Sequence, residues 1–239
     1  GQWGIRIYFD SDDTKIQGNV IGTGLTGTED FGCGYGGITA VYRPSFSVIG
    51  GNLPGQENII AYNNGPAIDF DLPTSGTSAT ESFFVLNNSI YENNEGIVAN
   101  SPSTSGAVLN KGILPPVIQT FNASTIAGTL QGNLGGYTGE VQLHLYESDG
   151  SLSPQGKVLL DSANVIGDTW SFSGSFDENK VYLATVSVDT MGTSLYAQVI
   201  SNFAVALDGT NDYVDLGSGF ATAMAGQESS FTAEWWIKM

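Results

Sequence analysis

Gly4-Ile5-Arg6-Ile7 is echoed by Gly37-Ile38-Thr39-Ala40, by Ala67-Ile68-Asp69-Phe70 and by Gly96-Ile97-Val98-Ala99. The four isoleucines stand 33, 30 and 29 residues apart. A second phrase recurs between them as Asn19-Val20-Ile21-Gly22, Asn58-Ile59-Ile60-Ala61 and Asn88-Ser89-Ile90-Tyr91. Self-similarity at a period of about 20–50 residues marks a repeat array. Each period here holds two or three short β-rich phrases separated by Gly, Asn, Ser, Asp and Pro. No segment spaces its apolar residues as a helix would, at i, i+3 and i+4. Helical repeats are therefore disfavoured and a parallel β-helix is expected, with equivalent residues stacked about 4.8 Å apart. Ile5, Ile7, Val20, Ile38, Ile60, Ile68, Phe70, Ile90 and Ile97 are the expected inward ladder. Asn19, Asn58 and Asn88 are expected to stack at a turn with their amides bonded along the ladder, although Asn is also a favoured turn residue in its own right.

Around the repeat, the composition is that of a turn-rich β protein. The chain has 239 residues, of which 32 are glycine, 13% charged and 11% aromatic. That is enough apolar matter for real cores and too much for disorder. Acidic residues outnumber basic ones 24 to 7, for a net charge of −17. Nucleic acids and anionic membrane surfaces select Lys and Arg, so neither is an expected partner. No apolar run reaches the ~18 residues of a helical membrane span, so direct membrane insertion is not expected. Cys33 is the single cysteine, which rules out an intrachain disulfide. Gly1-Gln2-Trp3-Gly4 opens in mid-repeat, with neither an initiator methionine nor a signal peptide. An uncapped strand edge is unusual, so the chain is expected to be a segment of something longer.

The repeat, assigned to residues 1–114, carries two insertions, Thr23 to Tyr35 and Leu72 to Glu81. Ile113-Leu114-Pro115-Pro116 punctuates its end. Residues 115–204 change to antiparallel patterning. Val141, Leu143 and Leu145 alternate with Gln142, His144 and Tyr146, which predicts one buried and one wet face. About seven short strands with polar turns read as an immunoglobulin-like β-sandwich anchored by Trp170 and Phe172. Residues 205–239 hold only two or three strands, too few to bury a core alone.

Reactive residues do not converge along the chain. No catalytic, cofactor-binding or metal site is assigned, and no cofactor is expected, with calcium as the one candidate. Asp10, Asp12 and Asp13 beside Ser11 offer oxygens to such an ion, or form a solvated acidic turn. His144, the only histidine, is placed on the polar side of its strand, exposed and structural. Asp69 and Glu57 are the only carboxylates that can be placed near faces of the repeat. A glycosidase would need such a pair about 5–9 Å apart. Tyr8, Tyr35 and Tyr42 are the candidate glycan contacts, since aromatic rings stack on sugars.

Three stretches carry resemblances. Residues 4–100 resemble the right-handed β-helix repeats of pectin-lyase-like surface proteins. Pro115-Pro116-Val117-Ile118, Thr169-Trp170-Ser171-Phe172 and Tyr182-Leu183-Ala184-Thr185-Val186 resemble the immunoglobulin-like module that follows such repeats in bacterial adhesins. Leu207-Asp208-Gly209-Thr210-Asn211-Asp212-Tyr213-Val214-Asp215-Leu216, with Phe231 to Ile237, is similar to the opening of a laminin-G/concanavalin A-like jelly roll. Together these resemble very large Bacteroidota cell-surface adhesins of the type IX secretion and gliding kind. The resemblance implies an extracellular place on the bacterial surface. Surface glycans, other cells, and the secretion or anchoring machinery are the implied partners. Asp161-Ser162-Ala163 and Asp189-Thr190-Met191 resemble that phylum's short O-glycosylation sequon, which implies Ser162 and Thr190 as modification sites. Lyases of the pectin-lyase group carry Asp, Lys and Arg clusters on one face, whereas here Arg6, Lys15 and Arg43 are scattered and Lys111 lies beyond the repeat.

The expected fold is thus all-β: a short right-handed parallel β-helix, an immunoglobulin-like sandwich and the first strands of a jelly roll. The expected function is a non-catalytic, adhesive stalk that displays binding domains. A carbohydrate-binding module is the alternative, and a polysaccharide lyase or glycosidase is a more remote one.

Overall fold

A computed structural model describes residues 2–8, 11–41, 46–71, 82–100, 109–132, 134 and 137–198. Tyr42, Asp10, Arg43, the insertion from Leu72 to Glu81 and the jelly-roll assignment at 205–239 lie outside the described residues. The described residues are all-β, with one short 3-10 turn at Asn110–Gly112. None of their helices is long and apolar enough to cross a membrane.

The repeat resolves into ten strands: β1 (Trp3–Tyr8), β2 (Lys15–Ile16), β3 (Val20–Ile21), β4 (Gly36–Val41), β5 (Ser47–Gly50), β6 (Ile59–Ala61), β7 (Pro66–Asp71), β8 (Phe83–Leu86), β9 (Ser89–Tyr91) and β10 (Glu95–Asn100). They form three parallel sheets, β1-β4-β7-β10, β2-β5-β8 and β3-β6-β9, which the chain visits in turn. Ile5, Ile38, Ile68 and Ile97 align in register across the first sheet. The recurrence at 33, 30 and 29 residues is thus the stacking period itself. One apolar cluster joins all three sheets through Ile38, Ile68 and Phe70 from the first, Ile16, Ile49 and Val85 from the second, and Ile21, Ile60 and Ile90 from the third.

One expectation about that core needs correcting. The inward residue of the second phrase is its third position, because Ile21 aligns with Ile60 and Ile90. Val20 instead faces outward at 37% exposure. Side chains alternate along a strand, so a two-residue strand offers one inward position, and Ile21 holds it. The sheet of β2, β5 and β8 contributes Ile16, Ile49 and Val85 yet carries no repeated phrase that would announce it.

Asn19, Asn58 and Asn88 do form a ladder. Asn19 Nδ2 donates to Asn58 Oδ1 at 3.0 Å, and Asn58 Nδ2 donates to Asn88 Oδ1 at 2.8 Å. The same oxygens accept the backbone N–H groups of Asn19 and Asn58. The Asn58 and Asn88 amides also donate to the strand carbonyls of Ile16 and Ile49, and the Asn19 amide donates to the Gln17 carbonyl. The amides thereby satisfy backbone groups at the corners, where ladder pairing stops and burial would otherwise strand them.

The small residue before each isoleucine has a steric cause. A Cβ on Gly37 would lie 2.6 Å from the Ala67 carbonyl oxygen and 2.7 Å from Ile60 Cγ2. Gly37→Ala is expected to cost about 1–3 kcal/mol through overpacking, read as a lower urea midpoint at unchanged slope. An unchanged midpoint would show that the rung can shift to admit a methyl.

The remainder builds two antiparallel sheets from β11 (Val117–Asn122), β12 (Thr125–Thr129), β13 (Val141–Ser148), β14 (Gly156–Asn164), β15 (Thr169–Ser173), β16 (Tyr182–Val188), β17 (Gly192–Thr193) and β18 (Ala197–Gln198). One sheet runs β11-β12-β15; the other runs β14-β13-β16, with β17 and β18 both pairing to β16. Ile126, Leu143, Leu145, Trp170, Phe172 and Val186 form the core between them. Among the described residues the sheets are separate and none closes on itself. Gly1–Ser201 is one compact unit containing both the parallel and the antiparallel parts.

The largest departure from the sequence reading is β13. His144 and Tyr146 are buried as fully as Leu143 and Leu145, with His144 at 0% exposure. The face predicted to be wet is covered because this sheet packs on the last rung of the parallel repeat.

Candidate functional site

The last rung, residues 82–96, presents backbone groups that a further rung would have paired. The antiparallel part supplies the missing partners. Phe83 N–H donates to Asn110 Oδ1 at 2.7 Å, while Asn110 Nδ2 donates to the carbonyls of Phe83 at 3.0 Å and Thr193 at 2.6 Å. A side-chain amide here does what a neighbouring strand's peptide group would do. Val85 N–H donates to Thr193 Oγ1, Asn87 N–H to Tyr146 Oη, Glu92 N–H to Asp149 Oδ2 and Gly96 N–H to Ser153 Oγ.

A second asparagine ladder crosses the same boundary. Asn63 Oδ1 accepts the Cys33 N–H, and Asn63 Nδ2 donates to Asn93 Oδ1 at 2.8 Å. Asn93 Nδ2 then donates to Gln155 Oε1 at 2.9 Å, and Gln155 Nε2 returns a bond to the Asn93 carbonyl at 2.9 Å. Gln155, fully buried, occupies the place that the next rung's asparagine would take. The sequence reading missed this ladder. Asn63 and Asn93 each follow a member of the first ladder by five residues, which was its available signal. Gln155 has none, because it enters from another sheet.

Burial has a cost at this junction. Both ring nitrogens of His144 and the Thr185 hydroxyl are buried without hydrogen-bond partners, and the two residues are cross-strand neighbours. Desolvation lowers the His144 pKa from 6.5 to about 4, because a charged imidazolium cannot be hydrated there. Tyr146 and Tyr196, packed edge to face at 5.7 Å, have their phenol pKa values raised first by burial.

Two of the three predicted glycan contacts, Tyr8 and Tyr35, are among the described residues. Tyr8 and Tyr35 are both exposed, at 39% and 59%. Tyr8 ends β1 opposite Val41, whereas Tyr35 precedes β4, so they lie about 20 Å apart along the strand direction at ~3.3 Å per residue. Tyr8 stacks under the Arg6 guanidinium, 4.8 Å from the ring centroid. Asp69 lies mid-strand in β7, aligned with Thr39 and Val98. Glu57 is exposed on the loop before β6, a strand of a different sheet. Asp12 and Asp13 are exposed in a turn. Among the described residues, no three His, Cys, Asp or Glu side chains gather as a metal site would require. Ser162 is exposed on the edge strand β14. Thr190 sits in the turn before β17 with φ at 64°, its hydroxyl 3.1 Å from Tyr137 Oη and its carbonyl accepting from Lys111 Nζ.

A cleft of about 370 Å³ opens beside the junction. Leu53, Pro54, Glu57 and Asn87 line it from the parallel part, and Lys157 and Val158 of β14 from the antiparallel part. No protein family, curated protein or solved structure matches this chain.

Proposed function

We propose that this chain is a non-catalytic structural and adhesive segment of a large secreted bacterial cell-surface protein. In this reading the three parallel sheets are a short right-handed parallel β-helix and the two antiparallel sheets an immunoglobulin-like module. Together they act as a stiff stalk that displays binding domains towards surface glycans or other cells. The observation that carries the proposal is the sealed junction. Two asparagine ladders run from rung to rung, and the second ends on Gln155 of the antiparallel part. Load entering one part therefore passes to the other through hydrogen bonds within a buried interface, and backbone groups of β8 that would otherwise invite unwanted pairing are bonded by the antiparallel part. A protein whose task is reach and stiffness needs this continuity. The separated carboxylates and the scattered basic residues add no support for catalysis.

Single-molecule pulling on the full chain tests the mechanical part. Residues 3–198 are expected to yield in one cooperative event that releases roughly 60–70 nm of contour, from about 3.3–3.6 Å per extended residue. Two separate events, one for each part, would sink the continuous stalk. Turnover of a polysaccharide that disappears in Asp69→Asn would replace the reading with an enzymatic one.

A further inference from the structure

We infer that the cleft beside the junction binds a neutral pyranose of a surface polysaccharide. This goes beyond the stalk reading and holds whether or not the chain bears load. Ligand sites favour boundaries between packed parts and volumes of about 300–1,000 Å³, and this one has about 370 Å³. Leu53, Pro54, Val158 and Leu159 contribute apolar surface to its lining. Leu53 and Val158 remain 65% and 46% exposed, although apolar side chains at a packed boundary are ordinarily covered. Flat apolar walls suit the C–H faces of a sugar ring.

Charged groups stand beside this apolar surface, since the exposed side chains of Glu57 and Lys157 both line the cleft. The Lys157 ammonium is held over the Tyr91 ring at 4.9 Å from its centroid, which limits its rotamers before any ligand arrives. Asn87 also lines the cleft, and its amide is fixed there by Nδ2, which donates to the Gly51 carbonyl at 3.1 Å and to Asn52 Oδ1 at 2.9 Å. One carboxylate and one ammonium in the lining make the cleft close to neutral, while the whole chain carries −17. Uronic-acid polymers are repelled by that net charge, so the ligand is a neutral glycan.

The test is calorimetric titration of the full chain with cello-, xylo-, manno-, malto- and laminarihexaose, with oligogalacturonate as the acidic control. At least one neutral oligosaccharide is expected to bind with a Kd below about 1 mM. Glu57→Gln and Lys157→Met should each weaken it about tenfold, as expected for losing a hydrogen bond to a charged group. Both side chains are surface groups, so the unfolding temperature should hold in each variant. Leu53→Asp, also exposed, should abolish binding by charging the apolar wall. Tyr35→Ala should leave binding unchanged. The inference is overturned if no neutral hexasaccharide binds at about 10 mM, or if oligogalacturonate binds best. It is equally overturned if binding survives Glu57→Gln and Leu53→Asp but is lost in Tyr35→Ala, which would place the glycan on the tyrosine face.

Discussion

Asn110→Ala is expected to destabilise the protein by about 3–5 kcal/mol. The side chain is fully buried and pairs with three backbone groups: the Phe83 N–H, the Phe83 carbonyl and the Thr193 carbonyl. Alanine leaves all three buried without partners, at about 1–3 kcal/mol each before relaxation. Asn110 also adopts φ of 49°, a left-handed conformation that Asn tolerates better than Ala. Urea unfolding measures the total. Hydrogen exchange locates it, because the Phe83 and Val85 amides should lose protection before those of the strand below. Once uncovered, β8 becomes a free edge, so the variant should also associate with itself as concentration rises. A loss under about 1 kcal/mol would mean that this amide does not seal the rung. Gln155→Ala is the companion variant, and it should release the Asn93 amide while leaving Phe83 protected.

Stability should fall by about 3 kcal/mol between pH 6.5 and pH 4 on account of His144 alone. Its pKa is about 4 when folded, lowered from 6.5 by burial. The unfolded chain therefore binds the extra proton through this window while the folded chain does not, so stability rises with pH across it. Above pH 6.5 both states hold the neutral ring and the effect is absent; below pH 4 the loss is complete. Each pKa unit is worth about 1.36 kcal/mol. The carboxylates also titrate near the lower end, so the comparison is between the native chain and His144→Leu, an apolar side chain of similar bulk. The variant should lack this component of the slope. At pH 7.5 it should be more stable by about 1–3 kcal/mol, since it removes two unpaired ring nitrogens from a dry interface. Parallel pH profiles for the two proteins would show that the ring is hydrated in solution and that the junction is looser than its packing indicates.

How much of this was legible follows from the kind of interaction involved. The Ile5-Ile38-Ile68-Ile97 register could be read directly, because parallel stacking makes sequence period and spatial period the same quantity. The Asn19-Asn58-Asn88 ladder was legible for the same reason. The sheet of β2, β5 and β8 was not, since Lys15-Ile16, Val48-Ile49 and Phe84-Val85 share pairing but no common phrase. Val20 was misplaced because two adjacent apolar residues leave the parity of a two-residue strand undetermined. The candidate site was less legible still. Tyr8 and Tyr35 were chosen by residue type, and type says nothing about separation across a folded surface. The cleft draws Leu53 and Glu57 from one part and Lys157 and Val158 from the other, residues about a hundred positions apart with no shared pattern.

The amino-acid sequence by itself determined the all-β class, the parallel period and the asparagine ladder, because each depends on local alternation repeated at a constant interval. Only the tertiary structure decided that the antiparallel part closes the last rung. That closure depends on Asn110, Gln155, Thr193 and Tyr146 meeting backbone groups 27 to 108 residues away. It also decided the state of His144. On an isolated sheet, alternation with Leu143 and Leu145 would have left the ring in water. Packed on the repeat, both faces of β13 are dry, and the same imidazole becomes a buried neutral group without a partner.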